Sequence, residues 1–375
     1  MFDKDWERAL ESGVGKYILR VDDGAADEAT NNEVHEVVAV LREFRDLLNA
    51  AFDFYAAQGS SSDITQMTAN GFSMFTAELN LSDKNSKFCR GEDLDRLFIA
   101  VDVGSNKASE KFNRKKALNR QEFMRCVVNI ACMKYVMPGD MVDVSDSLHC
   151  LCSEMDAKLD KRVFAEGNEF RTRFAYIEET DNVLRKYEKS LRLIYERTTK
   201  LRGQEASKGI ANKLVSYLTW KDLMRTLGLI DTDLTDVKIT LAFVWARMRV
   251  IDEQSDRGRA LLTHHSFEDF LEALCRCSVC KAWPSPGEVD AGGTGNAGAH
   301  MIWLKNENPE AYAALLRERS VAWGGEPTQR IQTCVENMCV LLVSTCLEKQ
   351  GKGKQELRPL TEKEVAIALP MQAGS

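Results

Sequence analysis

Leu118-Asn-Arg-Gln-Glu122-Phe123 decides how this chain reads. An apolar residue, a carboxylate four places on and an aromatic directly after it make up the exiting half of an EF-hand loop. In that loop the eighth position is apolar and the twelfth carries a bidentate glutamate just inside the next helix. Leu218-Thr-Trp-Lys-Asp222-Leu223 repeats the pattern.

The entering halves depart from it. A calcium loop places oxygen ligands at its first, third, fifth, seventh and ninth positions and glycine at its sixth. Counting back from Glu122 sets Lys111, Asn113 and Lys115 at the first three ligand places and Lys116 where glycine is required. Counting back from Asp222 sets Ala211, Lys213 and Val215 there. Cations at ligand positions repel calcium, and a loop running from Asp102 to Glu122 is too long for the cage. Asp252, Asp256 and Asp269 supply carboxylates at the wrong spacing, and they are the candidates if one atypical loop binds calcium. The expectation is a fold without metal or other cofactor, because packed helical faces do not depend on the ion.

Around these loops the sequence repeats itself. Gln121-Glu-Phe-Met-Arg-Cys126 aligns with Glu268-Asp-Phe-Leu-Glu-Ala273, 147 residues later. Upstream, the Leu94–Asp102 stretch pairs with Ile239–Arg247 within a two-residue shift, and Met67-Thr-Ala-Asn-Gly-Phe72 with Leu218-Thr-Trp-Lys-Asp-Leu223. Between the loops, apolar residues step by three and four, as in Val37, Leu41, Phe44, Leu48 and Phe52, or Val183, Tyr187, Leu191 and Ile194. That period is helical. A last helix is expected over about 328–348. The fold class is therefore all-α: two tandem degenerate EF-hand-pair-like four-helix units with a C-terminal helical extension. Turn chemistry at Pro138-Gly-Asp140 and Trp283-Pro-Ser-Pro-Gly287 suggests a first pair over 1–138, a connecting segment over 139–178 and a second pair over 179–284. Residues 285–375 then hold a glycine-rich linker, helices and a tail. The 291–298 glycines lack the Lys-Ser/Thr and preceding strand of a phosphate loop.

The segments Phe54-Tyr-Ala-Ala-Gln-Gly59, Asp93-Leu-Asp-Arg-Leu-Phe-Ile-Ala100, Ala117–Phe123 and Ser266–Ala273 resemble a divergent tandem EF-hand-like module of flagellated protists and algae, found in axonemal proteins among others. The likeness spans roughly residues 35–345. It implies a ciliary or cytoskeletal setting, which composition does not show.

Bulk properties bound the function. The chain has 375 residues, 44% hydrophobic and 29% charged, with a net charge of −7, a globular balance that argues against general nucleic-acid binding. Neither a signal peptide nor a membrane span is expected: the start lacks an apolar run, and the apolar stretch from Met338 to Cys346 is short. Eleven cysteines, mostly inside helical patterns, fit reduced thiols in a cytoplasmic compartment. Zinc at His264, His265, Cys275, Cys277 and Cys280 is disfavoured, because Cys275 and Cys277 point about 200° apart on one helix. No catalytic motif is recognisable, so an enzyme is the weakest reading.

The basic loop of Lys107, Lys111, Arg114, Lys115, Lys116 and Arg120 could meet an acidic partner such as the carboxylate-rich tails of tubulin; the competing reading is a solvated loop. Trp283 and Trp323 lie at turns, where a tryptophan can be an exposed anchor or a core residue. The sequence thus points to a non-enzymatic helical adaptor for cytoskeletal or axonemal proteins, with a calcium-responsive regulator as the alternative and no role on nucleic acid or membrane.

Overall fold

The computed structural model describes residues 1–21, 28–59, 63–104, 111–160, 167–202, 210–349 and 357–371. It is predominantly helical. The chain runs α1 (Phe2–Glu11), α2 (Val14–Val21), α3 (Glu28–Glu43), α4 (Arg45–Gly59), β1 (Met67–Thr68), α5 (Ala69–Glu78), α6 (Gly91–Gly104), β2 (Ala117–Leu118), α7 (Arg120–Ala131) and α8 (Val144–Lys158). Then follow α9 (Gly167–Phe170), α10 (Glu178–Thr198), β3 (Val215–Ser216), α11 (Tyr217–Thr226), α12 (Asp236–Ala246), α13 (Asp256–Thr263), β4 (His264–His265) and α14 (Phe267–Cys280). The last helices are α15 (Pro286–Ala291), α16 (Ala297–Glu307), α17 (Pro309–Arg319), α18 (Ile331–Glu348) and α19 (Glu362–Ala368).

Two compact units emerge: residues 1–164 with 249–262, and residues 165–248 with 263–375. The 139–178 stretch is therefore shared, with α8 packing on α3 and α7 in the first unit and α9 belonging to the second. The 249–262 segment belongs to the first unit although the residues on both sides of it in sequence belong to the second. In the second unit α18 packs against α10, α14 and α16. Among the described residues α18 is the one helix long and apolar enough to cross a membrane, and 67% of it is buried in the protein.

Each unit contains one two-stranded antiparallel sheet, β1 with β2 and β3 with β4. The register sets Met67 opposite Leu118 and Val215 opposite His265. Every strand leads directly into a helix, and the junction residue is a cap. Thr68, Asn119, Ser216 and Ser266 each accept a hydrogen bond from a backbone N–H of the first turn. Such caps satisfy donors that a helix start otherwise leaves open, each worth about 1 kcal/mol.

Aromatic residues just beyond the caps build both cores. In the first unit Phe123 meets Phe75 at 5.0 Å and Phe52 at 5.6 Å between ring centroids. In the second, Phe270 meets Trp220 at 5.8 Å and Tyr195 at 5.5 Å. The α4–α5 crossing is close because Gly71 has no side chain: a Cβ there would lie 2.6 Å from the Tyr55 carbonyl oxygen. Gly71→Ala must push the two helices apart, so it should cost about 1–3 kcal/mol and lower the thermal midpoint in calorimetry.

His265 sits inside the second core, stacked on Phe243 at 3.6 Å. Its Nε2 donates to the Phe243 carbonyl oxygen over 2.9 Å, and its Nδ1 is buried with no hydrogen-bond partner. Burial pushes the imidazole pKa down to about 3, helped by the nearby Arg247. The folded state thus refuses a proton that the unfolded chain accepts below about 6.5. Stability of the second unit should therefore fall as pH drops from about 6.5 toward 3. Melting curves over that range should show the acid slope reduced in His265→Gln, which keeps a donor and cannot titrate.

Candidate functional site

The loop before α7 shows how a calcium-type frame is occupied here. Glu122 is 1% exposed, and both of its carboxylate oxygens are used. Oε2 accepts from the Asn119 backbone N–H at 2.8 Å, completing a capping box, and Oε1 accepts from Asn113 Nδ2 at 2.8 Å. Asn113 is itself buried and held by Gln66, whose Nε2 donates to Asn113 Oδ1 at 3.3 Å and to the Phe112 carbonyl at 3.0 Å. Asp102 does not face an open cage either; its Oδ1 accepts from the Ala117 N–H at 3.2 Å. Amide donors thus stand where a cation would answer the carboxylate. Lys116 takes φ = 65°, the left-handed conformation for which the sixth loop position normally uses glycine.

The strand before α11 lies three residues earlier than the spacing suggests. Leu218 is inside α11, and the strand residue facing β4 is Val215. The carboxylate of Asp222 consequently sits more than a turn into α11, where Arg202 holds it through Nε at 2.5 Å and Nη2 at 3.1 Å. The strand register moves the frame back by three residues, so Val215-Ser-Tyr-Leu-Thr-Trp220 matches Met67-Thr-Ala-Asn-Gly-Phe72. Leu218 and Asp222 share the four-residue spacing of Leu118 and Glu122, which is why the sequence pattern accepts them.

The candidate calcium carboxylates of the last loop do not converge. Asp252 and Asp256 belong to the first unit, Asp269 to the second. Asp269 is the capping-box partner of Ser266, and burial raises its pKa despite those hydrogen bonds. Asp252 accepts from Arg8 Nη2 at 2.8 Å and from the Gln254 N–H; burial opposes ionisation, but these donors hold its pKa below the usual range. Asp256 opens α13, which fills the entering half of this loop with helix.

Asp256 instead pairs with Lys111, while Arg114 pairs with Asp63 at 3.3 Å. Much of the basic loop is therefore answered by acidic residues of its own unit. Lys115 and Lys116 are exposed, and Lys107 lies outside the described residues. Arg120 is the exception to surface pairing: it is 9% exposed, and its guanidinium grips Asp5 through Nε at 3.0 Å and Nη2 at 3.3 Å. The same Nε lies 3.6 Å from Glu253, a residue no sequence pattern singles out. Exposed pairs are worth about 0–1 kcal/mol, whereas breaking a buried one costs roughly 3–5 kcal/mol. Of these pairs, the one at Arg120 is the costliest to break.

Neither candidate anchor tryptophan is exposed. Trp283 is completely buried and donates to the Ser278 carbonyl at 2.8 Å, because α14 ends against it. Trp323 is 9% exposed and meets Trp245 edge-on at 5.8 Å. All eleven cysteines are free thiols, and Cys275, Cys277 and Cys280 are buried in α14 with pKa values pushed up by burial. Among the described residues one set of potential metal ligands lies within 4.8 Å: Glu33, Glu36 and Asp143. Two of the three are already employed, Asp143 as the cap of α8 and Glu33 as acceptor from the Ser145 N–H at 2.8 Å. No family model, curated protein or solved structure matches the chain.

Proposed function

We propose that this chain is a metal-independent helical adaptor, built from two EF-hand-pair-like units, that binds protein partners. The pairing of β1 with β2 and of β3 with β4, each strand leading into a capped helix, supports the unit assignment. With the facing residues Met67, Leu118, Val215 and His265 at the eighth place, the twelfth places fall on Gly71, Glu122, Thr219 and Asp269. Gly71 and Thr219 offer no carboxylate. Glu122 and Asp269 spend theirs on capping boxes. The observation that carries the metal-free reading is Glu122, whose charge is answered by Asn113 and Asn119 rather than left for a cation.

Partner binding is supported by α6, where Ile99 and Val103 stand one turn apart and are 59% and 74% exposed. Apolar residues at helical spacing on an outer face suit a partner's helix. Lys115 and Lys116 add exposed positive charge suited to an acidic segment. The resemblance to flagellar modules favours tubulin or an axonemal protein, and hence a cytoplasmic, ciliary or cytoskeletal location. The test is co-sedimentation with microtubules in calcium and in chelator, together with calorimetric calcium titration. We expect calcium-independent pelleting, weakened severalfold by Lys115→Glu with Lys116→Glu, and no calcium affinity tighter than millimolar. Micromolar calcium binding would overturn the metal-free reading; equal pelleting of the charge-reversed protein would remove the lysines from the contact.

A further inference from the structure

We propose that residues 249–262 form a proton-operated latch on the first unit, closed while Arg120 is shared between Asp5 and a protonated Glu253, and loosened when Glu253 ionises. Arg120, Asp5 and Glu253 are 9%, 2% and 4% exposed, so the site holds two carboxyl groups and one guanidinium away from water. Arg120 compensates one buried anion, and Arg259, which also faces Glu253, is itself paired with Asp63 at 3.4 Å, so a second carboxylate would be an undercompensated buried charge. The proton therefore stays on one of the two acids. Asp5 has the two-pronged contact with Arg120, at 3.0 and 3.3 Å, while Glu253 stands 3.6 Å off, which leaves the proton with Glu253.

The surrounding charges agree with this assignment. Facing Glu253 are Arg120, Asp5 and Arg259; facing Asp5 are Arg120, Arg8 and the amino group of Met1; Asp53 acts on Arg120. Arg8 also binds Asp252, on which Lys4 acts as well. Burial raises the Glu253 pKa to about 7, with Asp5 adding to the rise and Arg120 and Arg259 opposing it.

Arg8–Asp252 at 2.8 Å and Arg259–Asp63 at 3.4 Å are part-buried pairs that hold the segment whatever the state of Glu253. Lys111–Asp256 and Arg249–Asp46 are solvent-exposed pairs, and such pairs contribute little. Arg8 Nη1 and Gln254 Oε1 are buried there without hydrogen-bond partners, so water would satisfy them once the segment opens. The sign follows from linkage. Closed, Glu253 holds its proton up to about pH 7; open and solvated, it releases it near its ordinary value of 4.5. The closed state thus binds more protons between those values, and opening becomes easier as pH rises through that window. Opening would separate Arg259 from Phe112, over whose ring it lies at 5.4 Å, and Lys111 from Asp256.

Hydrogen exchange of the 249–262 amides, read by mass spectrometry and corrected for intrinsic rates, tests the latch on the full chain. Protection should fall by up to tenfold per pH unit between about 4.5 and 7 and then level off. Glu253→Gln mimics the protonated acid, so its protection should stay high and flat across that range. Asp256→Asn, at an exposed pair, should keep the wild-type pH dependence. A wild-type profile without pH dependence, or the same dependence in Glu253→Gln, would overturn the proposal. Should Glu253→Gln fail to fold, carbon-13 NMR of glutamate-labelled wild type decides instead: a Glu carboxyl titrating near 7 supports the latch, and none titrating above about 6 sinks it.

Discussion

A carboxylate buried as deeply as Glu122 has to be answered, and the way it is answered organises the first unit. In a metal-binding loop a divalent cation does this, and the backbone wraps around the ion. Here the Asn119 N–H and the Asn113 amide do it, and Gln66 holds Asn113 in place. Those three residues come from the loop before β1, the loop before β2 and the start of α7. One satisfied carboxylate therefore fixes the spacing of both loops, the pairing of their strands and the entry of α7 into the core at Phe123. Removing any one donor leaves a buried charge short of a partner, which costs more than the bond itself contributes.

The second unit reaches the same arrangement with different chemistry. Its counterpart strand residue is His265, kept neutral, stacked on Phe243 and tied to the Phe243 carbonyl. An imidazole with one used and one unpaired nitrogen is a poorer solution than a leucine, as Leu118 shows at the matching place. It confines this unit's full stability to pH above the ordinary histidine range. The two units thus respond to pH with opposite sign. The histidine penalises proton binding, whereas Glu253 in the first unit requires it.

Helical character and the capping residues at the starts of α7 and α14 are legible because they depend on short-range periodicity and spacing. Asn119 with Glu122 and Ser266 with Asp269 sit at corresponding repeat positions and both form capping boxes. The strand at Val215–Ser216 is not legible because two residues are too short to show alternation. Without that marker, Leu218–Leu223 and Val215–Trp220 fit equally well, each with an apolar residue five places before another. Trp283 stays open between exposed anchor and core residue in the sequence for a related reason. Its proline neighbour marks a chain reversal, but a reversal directly after a buried helix such as α14 lies in the core. Least legible was Glu253. Its meaning depends on Asp5 and Arg120, separated from it by more than a hundred residues, and no local pattern encodes such a meeting.

The proposed metal-free reading also accounts for the form of the 249–262 segment. A loop that coordinates an ion is drawn inward by its ligands and has to close within twelve residues. Without that demand a longer stretch between α12 and α14 carries only a slow logarithmic entropy cost, and α13 lies within it. Its carboxylates face cations of the first unit: Asp252 faces Arg8, Glu253 faces Arg120 and Asp256 faces Lys111. On the proposed reading, the lysine that would repel calcium from one loop is the same group that answers a carboxylate of the other, so the two features support one another within the first unit.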